Sequence, residues 1–191
     1  MELQGKTILF LGSSVTYGSA SGGVSFADIM EKRCGILAVK EAVSGTTLAD
    51  IDEQSYVARL KGVDKNLAPD LFICQLSTND IKASKNISPA QVEEAIRFIL
   101  SYVKDTFGCP IVFYTGTYFE NDKYMDMIRI LYELQKEYDF HILDLFQDED
   151  MRNISPEDYQ AYMRDPRHPL LRGYEEWWTP KFIEFCQQLP Y

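Results

Sequence analysis

The sequence predicts an α/β fold, a three-layer α/β/α sandwich in which helices cover both faces of a five-stranded parallel sheet. Apolar runs alternate with amphipathic stretches along the chain, and helix-start signals stand between the runs. The runs are short and continuously apolar rather than alternating, as expected of strands that are buried on both faces. Together these observations favour strand-helix repeats around a parallel sheet.

The strands are predicted from five segments rich in Ile, Val, Leu or Phe. They cover residues 7–11, 36–41, 71–75, 111–115 and 141–145.

The helices are predicted from capping residues and from apolar side chains at three- and four-residue spacing. Ser88 is an N-cap, Pro89 suits the first helical position, and Gln91 can reach back to the cap amide, so a helix should run from Pro89 to about residue 104. Further helices are expected over residues 26–33, from Asn121 to about 138, from the second capping box of Ser155 and Asp158, and over 171–188, where Gly173 and Pro180 interrupt the pattern.

Size and composition predict a single domain over residues 1–191. The chain is 46% hydrophobic and 13% aromatic, and a chain of this size buries roughly 70% of its unfolded surface in one core. No apolar run reaches the roughly 18 residues of a membrane helix, and no secretion signal precedes the first strand. We therefore expect a cytoplasmic protein without a membrane partner.

Charge and cysteine usage argue against several ligand classes. With 19 Lys and Arg against 29 Asp and Glu, the net charge of −10 repels nucleic acid and anionic membranes, so no nucleic-acid partner is expected. The four cysteines lack any CxxC pairing, which indicates neither a zinc site nor a disulfide framework. We expect buried, reduced thiols at Cys34, Cys74, Cys109 and Cys186.

A polar, glycine-bounded loop, Gly-Ser-Ser-Val-Thr-Tyr-Gly over residues 12–18, follows the first predicted strand. Such a loop can hold a phosphate through its amides and hydroxyls, or it can present a serine as a nucleophile. On its own it fits either function, and it also fits a plain solvated turn.

A serine nucleophile needs a base, and the chain has two histidines. His141 opens the fifth predicted strand and is expected to be structural. His168 lies in a proline-stiffened loop before the last helix, with Asp165 three residues earlier, and is the better base. Gly45 and Asn79, after the second and third strands, are candidates for oxyanion donors because both should lie at the carboxyl edge of the sheet.

These blocks together resemble the SGNH hydrolases, also called the GDSL esterase and lipase family. The matching blocks are Gly12-Ser13-Ser14-Val15, Gly45, Ser77-Thr78-Asn79-Asp80 and Asp165-Pro166-Arg167-His168. The resemblance implies a flavodoxin-like strand order, a Ser14–His168–Asp165 triad, and an oxyanion hole made by the Ser14 amide, the Gly45 amide and the Asn79 side chain. Two positions depart from the family pattern: Ser13 replaces a common aspartate, and Ser77 replaces a common glycine.

The resemblance further implies a serine esterase that needs no metal or cofactor. Its expected partner is a small-molecule ester with a short acyl group, acetyl foremost, and carbohydrate esters are included; the oligomeric state stays open. Two alternatives remain at this point: a flavodoxin-like carrier that binds the flavin phosphate of FMN on residues 13–18, and a family member that binds acyl sugars without catalysis. Candidate pocket residues are Tyr17, Tyr118, Phe119, Trp177 and Trp178.

Overall fold

The computed structural model describes residues 1–190, and a five-stranded parallel sheet forms its centre. The strand order is β2-β1-β3-β4-β5, so the predicted sandwich and its flavodoxin-like order are confirmed. The strands are β1 (Thr7–Gly12), β2 (Leu37–Ala42), β3 (Leu71–Gln75), β4 (Ile111–Tyr114) and β5 (His141–Leu143).

Nine α-helical segments are found in residues 1–190, together with a small second sheet. The helices are α1 (Ser14–Tyr17), α2 (Phe26–Cys34), α3 (Tyr56–Gly62), α4 (Pro89–Thr106), α5 (Asp122–Leu134), α6 (Glu149–Arg152), α7 (Pro156–Tyr162), α8 (Leu171–Gly173) and α9 (Thr179–Gln188). A 3₁₀ turn covers Ala83–Lys85, a π-helical turn covers Tyr174–Trp178, and β6 (Met163–Asp165) pairs antiparallel with β7 (His168–Pro169).

Two apolar cores lie on opposite faces of the sheet. Leu9 and Leu11 of β1 belong to the core that includes α3, α4 and α5, whereas Ile8 and Phe10 belong to the core that includes α2 and α9. Successive side chains of a strand point to opposite faces, so β1 must be apolar throughout to fill both cores. Since the carboxyl ends of the parallel strands share one edge, the loops after β1, β2 and β3 converge there.

The predicted caps and helix limits hold with two exceptions. Ser88 and Gln91 form the expected reciprocal capping box, and Ser155 caps α7 by accepting a hydrogen bond from the Asp158 amide. The Asp158 carboxylate, however, accepts from the Ser155 hydroxyl instead of completing a capping box. Helix α5 ends at Leu134 rather than near 138, and the Lys136 and Glu137 amides bond to carbonyls three residues back in a tighter turn.

Several features differ from the predictions. β2 lies at the sheet edge and is only partly covered, with Leu37 57% exposed, so the expectation of two covered faces is wrong for this strand. Helices α1, α3 and α6 and the β6–β7 hairpin were not anticipated. The cysteines are free thiols as expected, although Cys34 and Cys109 are only partly buried.

Gly173 does not break the last helix, since its φ of −63° and ψ of −39° are helical and the chain passes there from α8 into the π-helical turn. A Cβ on Gly173 would stand 2.2 Å from the Tyr162 carbonyl oxygen, so this residue lets α8 approach the chain that enters the hairpin.

None of the helices in residues 1–190 combines the length and apolar character of a bilayer span.

Candidate active site

The first element of the site is the sharp passage from β1 into α1, which presents Ser14. A Cβ on Gly12 would lie 1.8 Å from the Thr16 hydroxyl oxygen, so only glycine fits before the turn. Gly18, at φ +88°, ends the helix in a left-handed conformation. Ser14 is 8% exposed, and its Oγ lies 2.9 Å from Nε2 of His168.

The second element is the β6–β7 hairpin, which carries both Asp165 and His168. The two residues pair across the hairpin, and Pro166 and Arg167 form its turn. Nδ1 of His168 lies 2.9 and 2.8 Å from the two carboxylate oxygens of Asp165. The amides of Arg167 and His168 donate to Oδ1 at 2.9 and 3.1 Å, which fixes the orientation of the carboxylate.

Hydrogen bonding keeps the Asp165 carboxylate ionised. Partial burial alone would raise its pKa, but the Arg167 amide and the His168 ring outweigh that effect and hold the pKa below its usual range. An ionised acceptor at Nδ1 favours a proton on that nitrogen, which leaves the lone pair of Nε2 facing the serine hydroxyl. This is the arrangement that lets an imidazole act as a base.

The third element is formed by the loops after β2 and β3. Gly45 adopts φ +84°, a conformation that favours glycine, and within residues 1–190 its amide has no hydrogen-bond acceptor. Asn79 is 4% exposed, and its Nδ2 donates to the Thr46 carbonyl at 2.8 Å. That bond ties the Asn79 side chain to the residue next to Gly45 and leaves its second N–H free for a ligand.

The structure brings the predicted Ser14, His168 and Asp165 side chains into contact, and a comparison with known proteins places this site in context. A model of the GDSL-like lipase/acylhydrolase family matches residues 10–176. The chain belongs to this family. It is accordingly an ester hydrolase, which favours the esterase interpretation over the flavin carrier.

Solved structures of similar fold include several hydrolases. AlinE4, an SGNH-hydrolase family esterase, is 24% identical over 98% of both chains with a TM-score of 0.65. A lipase/acylhydrolase from Enterococcus faecalis is 15% identical over 95% of both chains, with a TM-score of 0.71. A carbohydrate acetylesterase family member from Sinorhizobium meliloti is 15% identical over 96% of this chain and all of its own, with a TM-score of 0.67. A search of curated proteins gives no match.

Arg59, which the sequence analysis did not single out, joins the loop after β1 to the loop after β2. The Arg59 side chain is 8% exposed, and its guanidinium donates to the Gly12 carbonyl at 2.7 Å and to the Thr46 hydroxyl at 3.2 Å. It also donates to the Glu41 carbonyl and carboxylate at 2.9 and 3.1 Å and to the Gln54 carbonyl at 3.0 Å. Gly12, two residues before Ser14, is thereby fixed against the loop that carries Gly45.

Asp80 joins the loop after β2 to the loop after β3 in the same way. Its two carboxylate oxygens accept from the amides of Leu48 and Ala49 at 2.9 and 2.8 Å. Burial raises the pKa of Asp80, and these two amides oppose that effect. The segment after Gly45 is therefore fixed relative to Asn79, which precedes Asp80.

Gln75, the last residue of β3, holds the loop over residues 12–18 in place. Its Oε1 accepts from the Ser13 amide at 2.9 Å and from the Thr16 hydroxyl at 3.0 Å, and Thr16 also contacts the Tyr114 hydroxyl at 2.7 Å. A glutamine at the end of an otherwise apolar strand was a signal that could have identified this role, and Gln75 is 2% exposed.

A cavity of about 510 Å³ opens beside the β6–β7 hairpin. Its walls come from the loop after β4, helices α6 and α7, the hairpin turn at Pro166 and the π-helical segment. Tyr118, Phe119 and Trp177 line it, as their candidacy for a pocket suggested. Trp178 instead is fully buried in the core beside Tyr114 and Tyr174, and Tyr17 lies outside the cavity with its ring under the Lys40 ammonium.

Proposed function

We propose that the protein is a serine esterase that hydrolyses short-chain esters, acetyl esters foremost, with carbohydrate esters included. The observation that carries the proposal is the contact of 2.9 Å between Ser14 Oγ and His168 Nε2, with the Asp165 carboxylate on the other ring nitrogen. In this proposal Ser14 is the nucleophile, His168 is the general base, and Asp165 orients the imidazole and stabilises its cation.

Acylation begins when Ser14 Oγ attacks the ester carbonyl while His168 takes the hydroxyl proton. The tetrahedral oxyanion is held by the Ser14 amide, the Gly45 amide and the Asn79 side chain. His168 then gives its proton to the leaving alcohol oxygen, and the acyl group remains on Ser14. Water, activated by the same imidazole, attacks the acyl-enzyme and releases the acid.

A hydrolytic role without metal or cofactor agrees with this chemistry, since each proton and charge has a group of the chain to receive it. The partner is a small-molecule ester, and no nucleic acid or membrane takes part. We place the enzyme in the cytoplasm, which cell fractionation tests directly.

The proposal is tested by hydrolysis of 4-nitrophenyl acetate, butyrate and octanoate by wild type and Ser14→Ala. We expect the acetate to give the highest kcat/KM, and Ser14→Ala to lose at least about a thousandfold, because no other hydroxyl replaces the nucleophile. Ser101→Ala, the same change at an exposed site on α4, serves as the control and should retain wild-type rates. Equal rates for Ser14→Ala and wild type would reject the proposal.

A family member that binds acyl sugars without catalysis, the second alternative raised by the sequence, makes the opposite kinetic prediction. It predicts no turnover and no pre-steady-state burst with an activated ester, whereas an acyl-enzyme mechanism releases one equivalent of nitrophenol rapidly whenever deacylation is the slower step. Turnover that depends on Ser14 excludes the alternative.

A further inference from the structure

Two cations that the proposed mechanism does not use flank the site. Lys82 lies in the loop after β3, and Arg167 lies in the turn of the β6–β7 hairpin. We propose that these two side chains bind an anionic group, such as a carboxylate, on the alcohol part of the ester. The inference rests on the proposed function, because an acetyl group is too small to carry that anion and the alcohol part must do so.

Backbone hydrogen bonds place the two cations next to the residues that act on the ester. The Lys82 amide donates to the Asn79 carbonyl at 3.1 Å, so Lys82 follows the proposed oxyanion donor by one turn. The Arg167 amide donates to Asp165 Oδ1 at 2.9 Å, and Arg167 directly precedes His168. One cation therefore comes from the oxyanion side of the site and the other from the histidine side.

The two cations belong to one cluster of positive charge. Partial desolvation lowers the pKa of Lys82, and the charges of Arg167 and Lys85 lower it further, as neighbouring like charges do. Lys85 lies 4.0 Å from the Asp52 carboxylate. Within residues 1–190, by contrast, the side chains of Lys82 and Arg167 have neither an ion pair nor a hydrogen bond, although Arg167 is partly buried.

An anionic ligand would resolve this unpaired charge. The chain has 29 acidic against 19 basic residues, and yet no carboxylate of residues 1–190 pairs with these two cations. An anion between them would offset their repulsion and accept charge-assisted hydrogen bonds from both. Because the net charge of −10 repels anions from the protein as a whole, only a local group of cations can make an anionic ester the better substrate.

The test compares two acetates of similar shape that differ in charge. 4-Acetoxybenzoate carries a carboxylate at neutral pH, whereas 4-acetoxybenzamide carries a neutral amide in its place. We expect wild type to favour the anionic ester by about tenfold in kcat/KM at low salt, after correction for the rates at which hydroxide cleaves the two esters. The preference should fall at least about threefold when NaCl rises from about 10 mM to about 0.5 M, because salt screens charges near solvent.

Neutral variants of the two cations test the site itself. Lys82→Gln and Arg167→Gln should each lower the preference at least about threefold, and the double variant should favour the neutral ester, since the net negative charge then acts alone. Arg167→Lys keeps the charge and should retain more of the preference than Arg167→Gln, a distinction that a merely structural role would not produce. Lys104→Gln makes the same change of net charge at an exposed site near the end of α4 and should keep the wild-type preference.

The outcomes separate the inference from the proposed function. Equal or slower cleavage of 4-acetoxybenzoate by wild type would overturn the inference, as would a preference that persists in the double variant or at high salt. Turnover of 4-nitrophenyl acetate with neither acetoxy compound cleaved would also overturn it, and would leave the esterase intact. Failure to cleave all three esters would reject the proposed function itself.

Discussion

The two sides of the active site are built in different ways. On the oxyanion side, the loops after β1, β2 and β3 are joined by the nearly buried side chains of Arg59, Gln75 and Asp80. On the histidine side, a hairpin of three- and two-residue strands carries Asp165 and His168, whose side chains are 40% and 25% exposed. The proposed donors for the oxyanion are thus fixed in advance, which is what electrostatic stabilisation requires.

The two sides of the site therefore have different roles in the proposed mechanism. A rigid oxyanion side stabilises the same tetrahedral centre for every ester, because all esters place the same charge there. On the histidine side, Pro166 of the hairpin turn borders the cavity of about 510 Å³.

The largest effect is expected on the histidine side from Asp165→Asn. The amide no longer favours the tautomer that presents the Nε2 lone pair to Ser14, so kcat for 4-nitrophenyl acetate should fall roughly 10³- to 10⁴-fold. Asp122→Asn, at the first residue of α5, is the control. A loss of less than tenfold in Asp165→Asn would show that the carboxylate does not orient the base.

On the oxyanion side, Asn79→Ala should lower kcat by about 10²- to 10³-fold, the range found on removing one oxyanion donor. KM should change little, because the donor acts mainly on the transition state. Steady-state kinetics of this variant beside the exposed Asn66→Ala gives the answer. A change confined to KM would assign Asn79 to substrate binding instead.

Arg59→Lys tests whether the oxyanion side is held in place from outside the site. A lysine keeps the charge but cannot donate in the fixed geometry that joins the Gly12 carbonyl to the Thr46 hydroxyl. We expect kcat to fall about tenfold with KM unchanged, and stability to fall by about 2 kcal/mol from the lost charged hydrogen bonds.

Arg129→Lys, at an exposed site on α5, is the matched control for this experiment. If Arg59→Lys lowered the Tm but left kcat at the wild-type value, Arg59 would contribute to folding alone. A drop in kcat at a temperature where the variant is fully folded supports its positioning role.

The smallest effect is expected on the pH dependence of stability. Because the folded-state pKa of Asp165 is lowered, its carboxylate contributes stability that is present above the unfolded pKa of about 4 and is lost as pH falls through the folded value. The Tm difference between wild type and Asp165→Asn should therefore be present at neutral pH and shrink in acid. A difference that grew in acid would contradict the assigned sign.

The strands and the residues of the constellation could be predicted from the sequence because their signals are local. Continuous apolar runs mark strands wherever both faces are covered, and the site blocks lie directly after those strands. The edge strand β2 shows the limit of this reasoning, since one side of an edge strand has no neighbour to bury it. Whether the chain is a single domain remains a prediction.

The hairpin is local but its strands are very short, whereas the connections between loops could not be predicted because their partners lie far apart in the chain. Strands as short as β6 and β7 have no propensity signal, and the contact of Asp165 with His168 accompanies their pairing. Arg59 lies 47 residues from the Gly12 carbonyl that it binds, and Gln75 lies 62 residues from Ser13. Only the packed fold brings such partners together.

The central claim is that His168 activates Ser14, and covalent labelling with an aryl phosphonate fluoride tests it most directly. Mass spectrometry of the digested protein should find one phosphonate per chain, on the peptide that contains Ser14, in wild type. His168→Ala should be labelled at least a hundredfold more slowly, since no base removes the serine proton. Equal labelling rates in the two proteins, or a label on another residue, would contradict the account.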